Sequence, residues 1–338
     1  MKRILYVGNK LSSFGFTPTG IDFLGALLER NSYNVLFAGE KKSKVSRLLS
    51  IVWTIVVKRK SYDIIIVDTY SSSAFYIALV TAWTARLLHK PYIPVLRGGN
   101  LPDRLTRSPW LTEQVIWYAS RVVSVSHYLQ HIFSSIRPVD YIPNFIEFEK
   151  YPFKERHKLK PRLLWVRSFH QIYNPELAVK IIMTLKKEHP SIFLTMVGPD
   201  KDGSRARVEQ LAVQLGVTDN IRLTGRLSKA EWIALAVDHD IFINTTNFDN
   251  MPVSVVEAMA LGLPVVSTQV GGTPFLIKHN IDGILVPIND AEEFCKAIRK
   301  LLNEHEFARE VASAARLKVQ EFDEVSVFTK WKKILDHV

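Results

Sequence analysis

One stretch of the sequence combines two carboxylates with a helix that suits an anion. Residues 247–272 read NFDNMPVSVVEAMALGLPVVSTQVGG, and after Asp249 the only ionisable side chain in it is Glu257. Between them Pro252 suits the first turn of a helix, and Gly262 suits its C-terminal cap. A carboxylate among apolar residues needs hydrogen-bond donors, and the first amides of a helix favour a phosphate.

These residues allow two interpretations. In the first, Asp249 and Glu257 frame a phosphorylated ligand at the N-terminus of the helix. In the second, Glu257 pairs with a basic residue elsewhere in the chain, and Asp249 merely caps the helix. The residues of this stretch, taken alone, leave both interpretations open.

The elements that must position these residues alternate between short β-branched runs and segments of helical period. Several runs show little alternation, which is typical of parallel strands covered on both faces. The pattern predicts a doubly wound α/β architecture. The predicted strands are 4–7, 34–38, 63–68, 92–96, 121–126, 140–143, 163–166, 192–197, 221–224, 241–244, 264–267 and 283–286. The predicted helices are 20–29, 74–88, 174–188, 205–215, 229–237, 254–260, 291–302 and 324–338.

Twelve strands exceed the usual size of one sheet, so we expect two sheets in two Rossmann-like domains. The charged, proline-bracketed stretch 147–161 has the composition of a linker. We therefore predict an N-terminal domain over residues 1–150, a C-terminal domain over residues 151–323, and a last helix, 324–338, that packs back on the first domain. Ligands of such sheets bind beyond the carboxyl ends of the strands, which predicts a cleft between the domains.

The composition excludes several classes of protein. With 338 residues, 47% of them hydrophobic, and one cysteine, the chain is neither disordered, nor collagen-like, nor a disulfide scaffold. Cys295 is expected in the core, and paired Cys or Cys/His metal spacings are absent. No apolar run approaches the ~18 residues of a membrane span. The opening MKRILYVGNK reads as a strand and not as a secretory signal, so we expect a cytoplasmic protein.

The positive charge is concentrated in the first half. Residues 1–150 hold 19 Lys+Arg and 10 Asp+Glu, whereas the remainder holds 25 and 23. Within the first half, residues 41–60 carry seven basic residues and no acidic one around an apolar centre. They form either a buried helix with solvated basic ends or a surface helix on an anionic membrane, where each basic residue contributes roughly 1 kcal/mol. No nucleic-acid-binding module is recognisable.

An ordered set of motifs resembles the retaining GT-B glycosyltransferases of family four. The set comprises IPN at 142–144, a strand that ends before Arg167, VGPD at 197–200, IRLTGRLSKAEW at 221–232 and DNMPVSVVEAMALGLPVVST with VGGTPFLI after Asn247. The agreement covers most of the second half well and the first half loosely. The resemblance implies GT-B architecture, with two facing Rossmann-like domains and a nucleotide-sugar donor on the second domain.

The resemblance also implies roles for individual residues. Glu257 would hold the ribose hydroxyls, Asp249 the hydroxyls of the donor sugar, and Arg167 the diphosphate, although Arg167 could instead form a surface ion pair. The remaining implied donor contacts are Asn250, Met251, Pro252 and Val253 near sugar and phosphate, and Gly225, Arg226 and Leu227 near the base. Asp249 and Asn250 stand where the family has Glu and Gly. The family's Lys-Gly pair after the arginine is not evident, and the nearest later cation is Lys180.

Two segments of the first half correspond to the acceptor side of that family. The loop FGFTPTG at 14–20 has Thr19-Gly20 where the family often has paired glycines, and it is not a GxGxxG dinucleotide motif. In LRGGNLPD, Arg97 occupies the family's histidine position before Gly98 and Gly99. An arginine there supplies positive charge but cannot act as an acid or a base. Alternatively, the two glycines form a simple turn, and Arg97 pairs with Asp103.

These observations favour a metal-independent, retaining glycosyltransferase that moves a sugar from a UDP- or GDP-sugar to a hydroxyl, with no cofactor. The expected acceptor is a lipid-linked or surface-polysaccharide glycan, at a membrane surface reached through residues 41–60, and no nucleic acid is involved. The DxD patterns at 200–202 and 238–240 match ordinary positions in the fold, so no metal site is expected. The alternatives are an inactive subunit that binds nucleotide sugar or glycan, and an epimerase or phosphorylase on the same fold.

Overall fold

The computed structural model describes residues 2–16 and 18–338, and its contacts divide them into two compact units. The first unit runs to Phe145 and includes Glu324–Val338, and the second unit is Ile146–Asp323. Each unit contains one six-stranded sheet whose strands all pair in parallel. All twelve predicted strands are present, which confirms the doubly wound α/β prediction.

In the first unit the strands follow the order β2-β1-β3-β4-β5-β6 across the sheet. Its strands are β1 (Arg3–Val7), β2 (Asn34–Ala38), β3 (Ile64–Thr69), β4 (Tyr92–Leu96), β5 (Val123–Ser124) and β6 (Asp140–Tyr141). Its first six helices are α1 (Gly20–Arg30), α2 (Lys44–Val57), α3 (Phe75–Leu87), α4 (Leu101–Arg107), α5 (Pro109–Ile116) and α6 (His127–Phe133). Helices α2, α3, α5 and α6 bury their apolar sides on one face of this sheet.

In the second unit the order is β12-β11-β10-β7-β8-β9. Its strands are β7 (Arg162–Val166), β8 (Phe193–Val197), β9 (Ile221–Gly225), β10 (Ile241–Asn244), β11 (Val265–Thr268) and β12 (Ile284–Val286). Its helices are α7 (Pro175–Leu185), α8 (Ser204–Gln214), α9 (Lys229–Ala236), α10 (Val253–Ala260), α11 (Thr273–Leu276), α12 (Ala291–Asn303) and α13 (His305–Lys318). One core lies under α7, α8 and α12 and another under α9 and α10. Cys295 is buried in the first of these cores, as predicted.

The last helix, α14 (Glu324–His337), packs with α1 on the other face of the first sheet. Its buried residues include Val327, Trp331 and Leu335, and Arg30 at the end of α1 pairs with Glu324 at 3.0 Å. No helix among the described residues is long and apolar enough to cross a membrane.

The structure differs from the sequence prediction mainly at helices that adjoin prolines. Helices α4, α5, α11 and α13 were not predicted, and in the first three of these a proline lies in the first turn of the helix. Pro252 shows the opposite deviation. It was expected in the first turn of α10 but lies at the N-cap position before it, with an extended ψ of 99°. Gly262 follows the end of α10 at φ +73°, in agreement with the predicted cap.

The stretch predicted as a linker packs onto the second unit. Its Arg156 is buried and donates hydrogen bonds to the carbonyl oxygens of Ala236, Leu261 and Gly262, which lie at the ends of α9 and α10. It also pairs with Asp240, Nε to Oδ1 at 3.3 Å. Carbonyl groups at the end of a helix have no partner within it, so one guanidinium satisfies the ends of two helices. The charge of this stretch therefore serves folding and not solvation alone.

We predict that Arg156→Ala lowers the free energy of unfolding of the second unit by about 3 kcal/mol, because it leaves Asp240 and several buried carbonyl groups without their partner. Urea denaturation followed by circular dichroism measures this loss. The control is Arg205→Ala, which removes an exposed pair with Glu209 and should cost less than about 1 kcal/mol. Equal losses in the two variants would contradict the structural role of Arg156.

Candidate functional site

The candidate donor residues gather at one edge of the second sheet. Because β7 and β10 are adjacent and parallel, the residues that follow them emerge side by side. Arg167 directly follows β7, and Asp249 lies in the loop between β10 and α10. Their side chains form an ion pair in which both are largely buried. The sequence placed these two residues in one site, and the structure brings them into contact.

Arg167 is held from two further sides. Its guanidinium lies 4.8 Å from the centre of the Tyr173 ring, and its backbone N–H donates to Val197 O at 3.0 Å. Its Nε is buried and has no hydrogen-bond partner among the described residues, and the same is true of Ser254 Oγ in the first turn of α10. Buried polar atoms without partners are costly unless a ligand satisfies them. Arg167 Nε can only donate, and the Ser254 hydroxyl can donate as well as accept, so together they suit an anion.

Two close approaches of the backbone shape the loop that carries Asp249. Gly272 donates its N–H to Asp249 O at 2.8 Å, and a Cβ at Gly272 would lie 1.6 Å from Asn250 O. A Cβ at Gly198, after β8, would lie 1.8 Å from Arg167 O. Only glycine fits either position. The glycines of the VGG and VGP motifs therefore hold the two halves of the Arg167–Asp249 pair in place.

Glu257 is buried in α10 and has two partners. The hydroxyl of Tyr151 donates to Glu257 Oε1 at 2.8 Å, and Lys229 Nζ contacts the same oxygen. Burial, followed by the nearby Glu257 charge, raises the pKa of Tyr151 well above its ordinary value, so the phenol stays protonated. Glu257 therefore has a basic partner, as the second interpretation expected, and this pairing leaves its Oε2 open to a ligand. The expectation that Asp249 caps the helix is wrong, since Pro252 occupies the cap and Asp249 pairs with Arg167.

Sequence reasoning missed both partners of Glu257. Tyr151 lies in the stretch predicted as a linker, and Lys229 is the first residue of α9. The only sequence signals were a tyrosine in a charged stretch and a lysine within the IRLTGRLSKAEW motif. Lys180, the nearest cation after Arg167 in sequence, is exposed on α7.

The other predicted donor residues lie on the same elements. Met251 and Pro252 are buried, Asn250 is also buried, and Val253 is half-buried at the start of α10. Gly225 ends β9 at φ +74° and accepts a hydrogen bond from Gly198 N–H at 2.8 Å. Arg226 is exposed and Leu227 is half-buried. Strand β9 is two strands from β7 in the same parallel sheet, so residues 225–227 lie at the same carboxyl edge of the sheet as Arg167.

Arg97 lies at the corresponding edge of the first sheet, directly after β4. Its Nε lies 2.5 Å from Asp68 Oδ1, and its other nitrogens donate to Asn144 Oδ1 and Tyr6 OH. Burial by itself would lower the pKa of Arg97, but the charge of Asp68, together with the nearby Tyr6 and Tyr70, offsets this effect, and the pKa lies above its ordinary value. The alternative pairing of Arg97 with Asp103 is wrong, because Asp103 pairs with Arg107.

The predicted acceptor residues surround this arginine. A Cβ at Gly20 would lie 2.2 Å from the Arg97 guanidinium, so glycine leaves it space. Thr19 caps α1 through a reciprocal capping box with Asp22. Gly98 approaches Ser71 N too closely for a side chain, and Gly99 begins the turn before α4. Thr17 of the predicted acceptor loop lies outside the described residues.

The two DxD patterns have structural roles. Hydrogen bonds from the Ser204 hydroxyl and the Gln171 amide lower the pKa of Asp202 to about 2. Asp240 pairs with Arg156. Among the described residues, no group of three or more His, Cys, Asp or Glu side chains is arranged to hold a metal ion.

The family model described as "Glycosyl transferases group 1" matches residues 147–318, which include Glu257, Arg167 and Asp249. The chain belongs to this family. The match confirms the resemblance inferred from the ordered motifs.

Two curated relatives act in the synthesis of bacterial polysaccharides, according to their names. The chain is 28% identical to the amylovoran biosynthesis glycosyltransferase AmsK of Erwinia amylovora over 202 residues, which cover 57% of this chain and 49% of that protein. It is 28% identical to the lipopolysaccharide core biosynthesis glycosyltransferase LpsE of Rhizobium meliloti over 123 residues, 36% of this chain and 35% of that protein. The chain thus matches about half of the length of these relatives or less.

A solved structure shares the fold over the whole chain. The crystal structure of Anabaena HepE in complex with UDP-glucose matches with a TM-score of 0.79 and 18% identity, covering 100% of both chains. This likeness confirms the GT-B fold predicted from the motifs.

The histidine of the second DxD pattern generates a pH prediction. His239 is buried, with Nδ1 2.8 Å from Leu235 O and Nε2 2.8 Å from Thr195 Oγ1. Burial lowers its pKa. The unfolded chain therefore binds a proton at a higher pH than the folded chain, and this part of the stability is lost as the pH falls below about 6.5.

We expect His239→Gln to flatten the fall in the free energy of unfolding between about pH 7 and pH 5, since glutamine stays neutral in that range. Urea denaturation at several pH values measures the slope. The matched variant is His157→Gln, at an exposed histidine, which should leave the slope unchanged. An unchanged slope in His239→Gln would show that the buried ring does not resist protonation.

Proposed function

We propose that this chain is a retaining, metal-independent glycosyltransferase that moves a sugar from a nucleoside diphosphate sugar to a hydroxyl of a glycan. The observation that carries the proposal is the largely buried Arg167–Asp249 pair before α10. It presents a cation for a diphosphate and a carboxylate for sugar hydroxyls at the carboxyl edge of a parallel sheet. Membership of the family supports this interpretation of the pair.

The donor contacts follow from the groups at this edge. Glu257 Oε1 already contacts the Tyr151 hydroxyl and Lys229 Nζ. We therefore assign Oε2 as the atom that accepts hydrogen bonds from the ribose hydroxyls. Arg167 Nε and Ser254 Oγ would donate to phosphate oxygens. The first amides of α10, from Val253 onward, would face the same anion. The backbone of residues 225–227 would contact the base.

We propose uridine as the base. HepE, which shares the fold, is solved with UDP-glucose bound. The backbone at the end of β9 offers amide and carbonyl groups, which suit a base that is read by hydrogen bonds. GDP-sugars are the other donor series to be tested.

In the reaction, the bond between the anomeric carbon and the diphosphate oxygen breaks, and the acceptor oxygen bonds to that carbon on the same face. The acceptor hydroxyl gives its proton to the departing phosphate oxygen. Arg167 and the amides of α10 stabilise the negative charge that develops on the diphosphate. Asp249 orients the donor sugar through its hydroxyls. These cationic and amide groups take the place of a metal ion.

In the first unit we propose that Arg97 acts as a fixed positive charge beside the acceptor, with Thr19, Gly20, Gly98 and Gly99. Its bond to Asp68 locks the guanidinium in place. It takes no part in proton transfer, because an arginine in proteins stays protonated.

The acceptor class follows from the relatives. AmsK and LpsE are named for amylovoran and lipopolysaccharide core synthesis. We therefore propose a lipid-linked or surface-polysaccharide glycan, extended at the cytoplasmic side of a membrane.

One observation favours a second candidate function. Asp249 contacts Arg167 directly, and Lys180 lies exposed on α7, so Arg167 carries the diphosphate charge without the family's lysine. A subunit that binds the nucleotide sugar without transferring it would have the same geometry. Turnover of the donor separates the two functions.

We predict that UDP or a UDP-sugar at 100 times its dissociation constant stabilises the protein by about 2.7 kcal/mol. Glu257→Gln should reduce the thermal shift strongly, because the amide loses the charge that attracts the ribose hydroxyls. Tyr151→Phe should reduce it less, since Lys229 remains. A thermal-shift titration with uridine, guanosine, adenosine and thymidine diphosphates measures these effects.

The control in that titration is Glu306→Gln on α13, which is exposed and should behave as the wild type. If no nucleotide stabilises the wild type, the donor site is not at this edge. If Glu257→Gln responds as the wild type does, the ribose assignment of Glu257 is wrong.

We predict that Arg167→Ala lowers kcat by about 10²–10³-fold, the loss typical of a group that stabilises the transition state. Arg309→Ala, at an exposed arginine on α13, serves as the matched control. Donor turnover is measured as the rate of nucleotide release with and without EDTA. We expect EDTA to leave this rate unchanged. Loss of activity with EDTA would contradict a metal-independent reaction, and absence of turnover with intact nucleotide binding would favour the inactive subunit.

A further inference from the structure

Helix α2 carries two apolar stripes on opposite sides. Ile51 and Ile55 are buried against the first sheet. The second stripe consists of four residues spaced four apart, and it is exposed. They are Val45, Leu49, Trp53 and Val57, at 70%, 65%, 59% and 57% exposure. Residues four apart share one face of a helix. The exposed residues are offset by two positions in sequence from the buried ones, so the two stripes lie on opposite sides of α2. The core requires only the first stripe, so the second needs another explanation.

The helices packed beside α2 on the same core also carry exposed tryptophans. Helix α3 packs against α2, and α5 packs against α3. Trp83 lies exposed on α3, Trp110 on α5, and Trp117 directly after α5. Together with Trp53, these are four of the seven tryptophans of the chain. We call this surface the α2–α3–α5 face.

Tryptophan is distributed unevenly between this face and the rest of the protein. The other three, Trp165, Trp232 and Trp331, are buried. The large exposed apolar residues of the second unit include no tryptophan and are scattered over separate elements, such as Val213 on α8 and Leu317 on α13. Scattered apolar residues are ordinary on a surface, whereas a contiguous apolar patch marks an interaction site. The stripe of α2 is such a patch, since its four exposed apolar residues follow one another along one side of a single helix.

The charge around the face is predominantly positive. Residues 41–60 contain no acidic residue, and the basic groups at the two ends of α2, at positions 41, 42, 44 and 58–60, are exposed. Over residues 41–139 there are fourteen Lys+Arg and four Asp+Glu. Of the acidic residues, Asp63, Asp68 and Asp103 pair with arginines. The apolar stripe is therefore flanked by cations that attract an anionic surface.

We propose that the α2–α3–α5 face binds the headgroup region of an anionic lipid bilayer. Leucine, valine and tryptophan would enter the boundary between headgroups and acyl chains, where indole rings are favoured. The lysines and arginines at the ends of α2 would contact lipid phosphates. A protein partner would need a complementary acidic surface, and nucleic acid gains nothing from an aliphatic stripe. The proposal does not depend on the proposed reaction, since it rests on the surface of the first unit alone.

The test is flotation of the full chain with vesicles, either of phosphatidylcholine alone or of an equimolar mixture with phosphatidylglycerol. We expect binding to the mixed vesicles, a blue shift of tryptophan fluorescence, and weaker binding at high salt. The double variant Leu49→Ser with Trp53→Ser should weaken binding by about tenfold or more. We expect a loss of the same size from a second variant, in which five basic residues are changed together to Glu: Lys41, Lys42, Lys58, Arg59 and Lys60.

Two further variants test the extent and the specificity of the face. Trp110→Ser with Trp117→Ser should also weaken binding, which a site confined to α2 would not show. The matched control is Val213→Ser with Leu317→Ser, which removes equally exposed apolar residues from the second unit and should bind as the wild type does. Thermal unfolding and nucleotide shifts should stay unchanged in all four variants, because these residues are exposed and lie outside the donor site.

Three outcomes would overturn the proposal. The first is no binding of the wild type to mixed vesicles, and the second is equal binding of the wild type and the Leu49 and Trp53 variant. The third is a wild type that does not bind vesicles but forms a dimer in analytical ultracentrifugation, while the Leu49 and Trp53 variant is monomeric. The face would then bind a second copy of the chain.

Discussion

A charge taken out of water must be paired, and both units meet this constraint at the edge where their parallel strands end. In the first unit Arg97 follows β4 and pairs with Asp68 of the neighbouring β3. In the second unit Arg167 follows β7 and pairs with Asp249, in the loop after the neighbouring β10. Parallel pairing places these residues side by side, and each pair then fixes the loops around it. The candidate site of each unit is built on such a pair.

Close packing of the backbone follows from the same constraint. A guanidinium needs room, and Gly20 supplies it beside Arg97. Gly198 and Gly272 make room for backbone around the other pair, since a Cβ at either would overlap the backbone of Arg167 or Asn250. The glycines of the motifs therefore act through the space they leave. That space lets a loop approach a charged side chain closely enough to hold it.

The second unit depends equally on the stretch that precedes its first strand. Arg156 satisfies the ends of α9 and α10, and Tyr151 donates to Glu257 inside α10. The middle of α10, at Glu257, and its end are thus held by one irregular segment. The proposed lipid-binding face is separate from this arrangement, because its residues project from helices whose opposite sides fill the core of the first unit.

Local pattern was enough to predict the twelve strands and the lone carboxylate of Glu257 among apolar residues, because apolar periodicity and an isolated charge are properties of short segments. Tertiary structure decided which charges meet. Glu257 contacts Tyr151 and Lys229, which lie 106 and 28 residues away in sequence, and Arg97 pairs with Asp68 and not with the nearer Asp103. It also decided that α2 has a buried side and an exposed side, which its composition left open. Such pairings and exposures depend on the order of strands in the sheet and on which helix faces it, and no short segment encodes either.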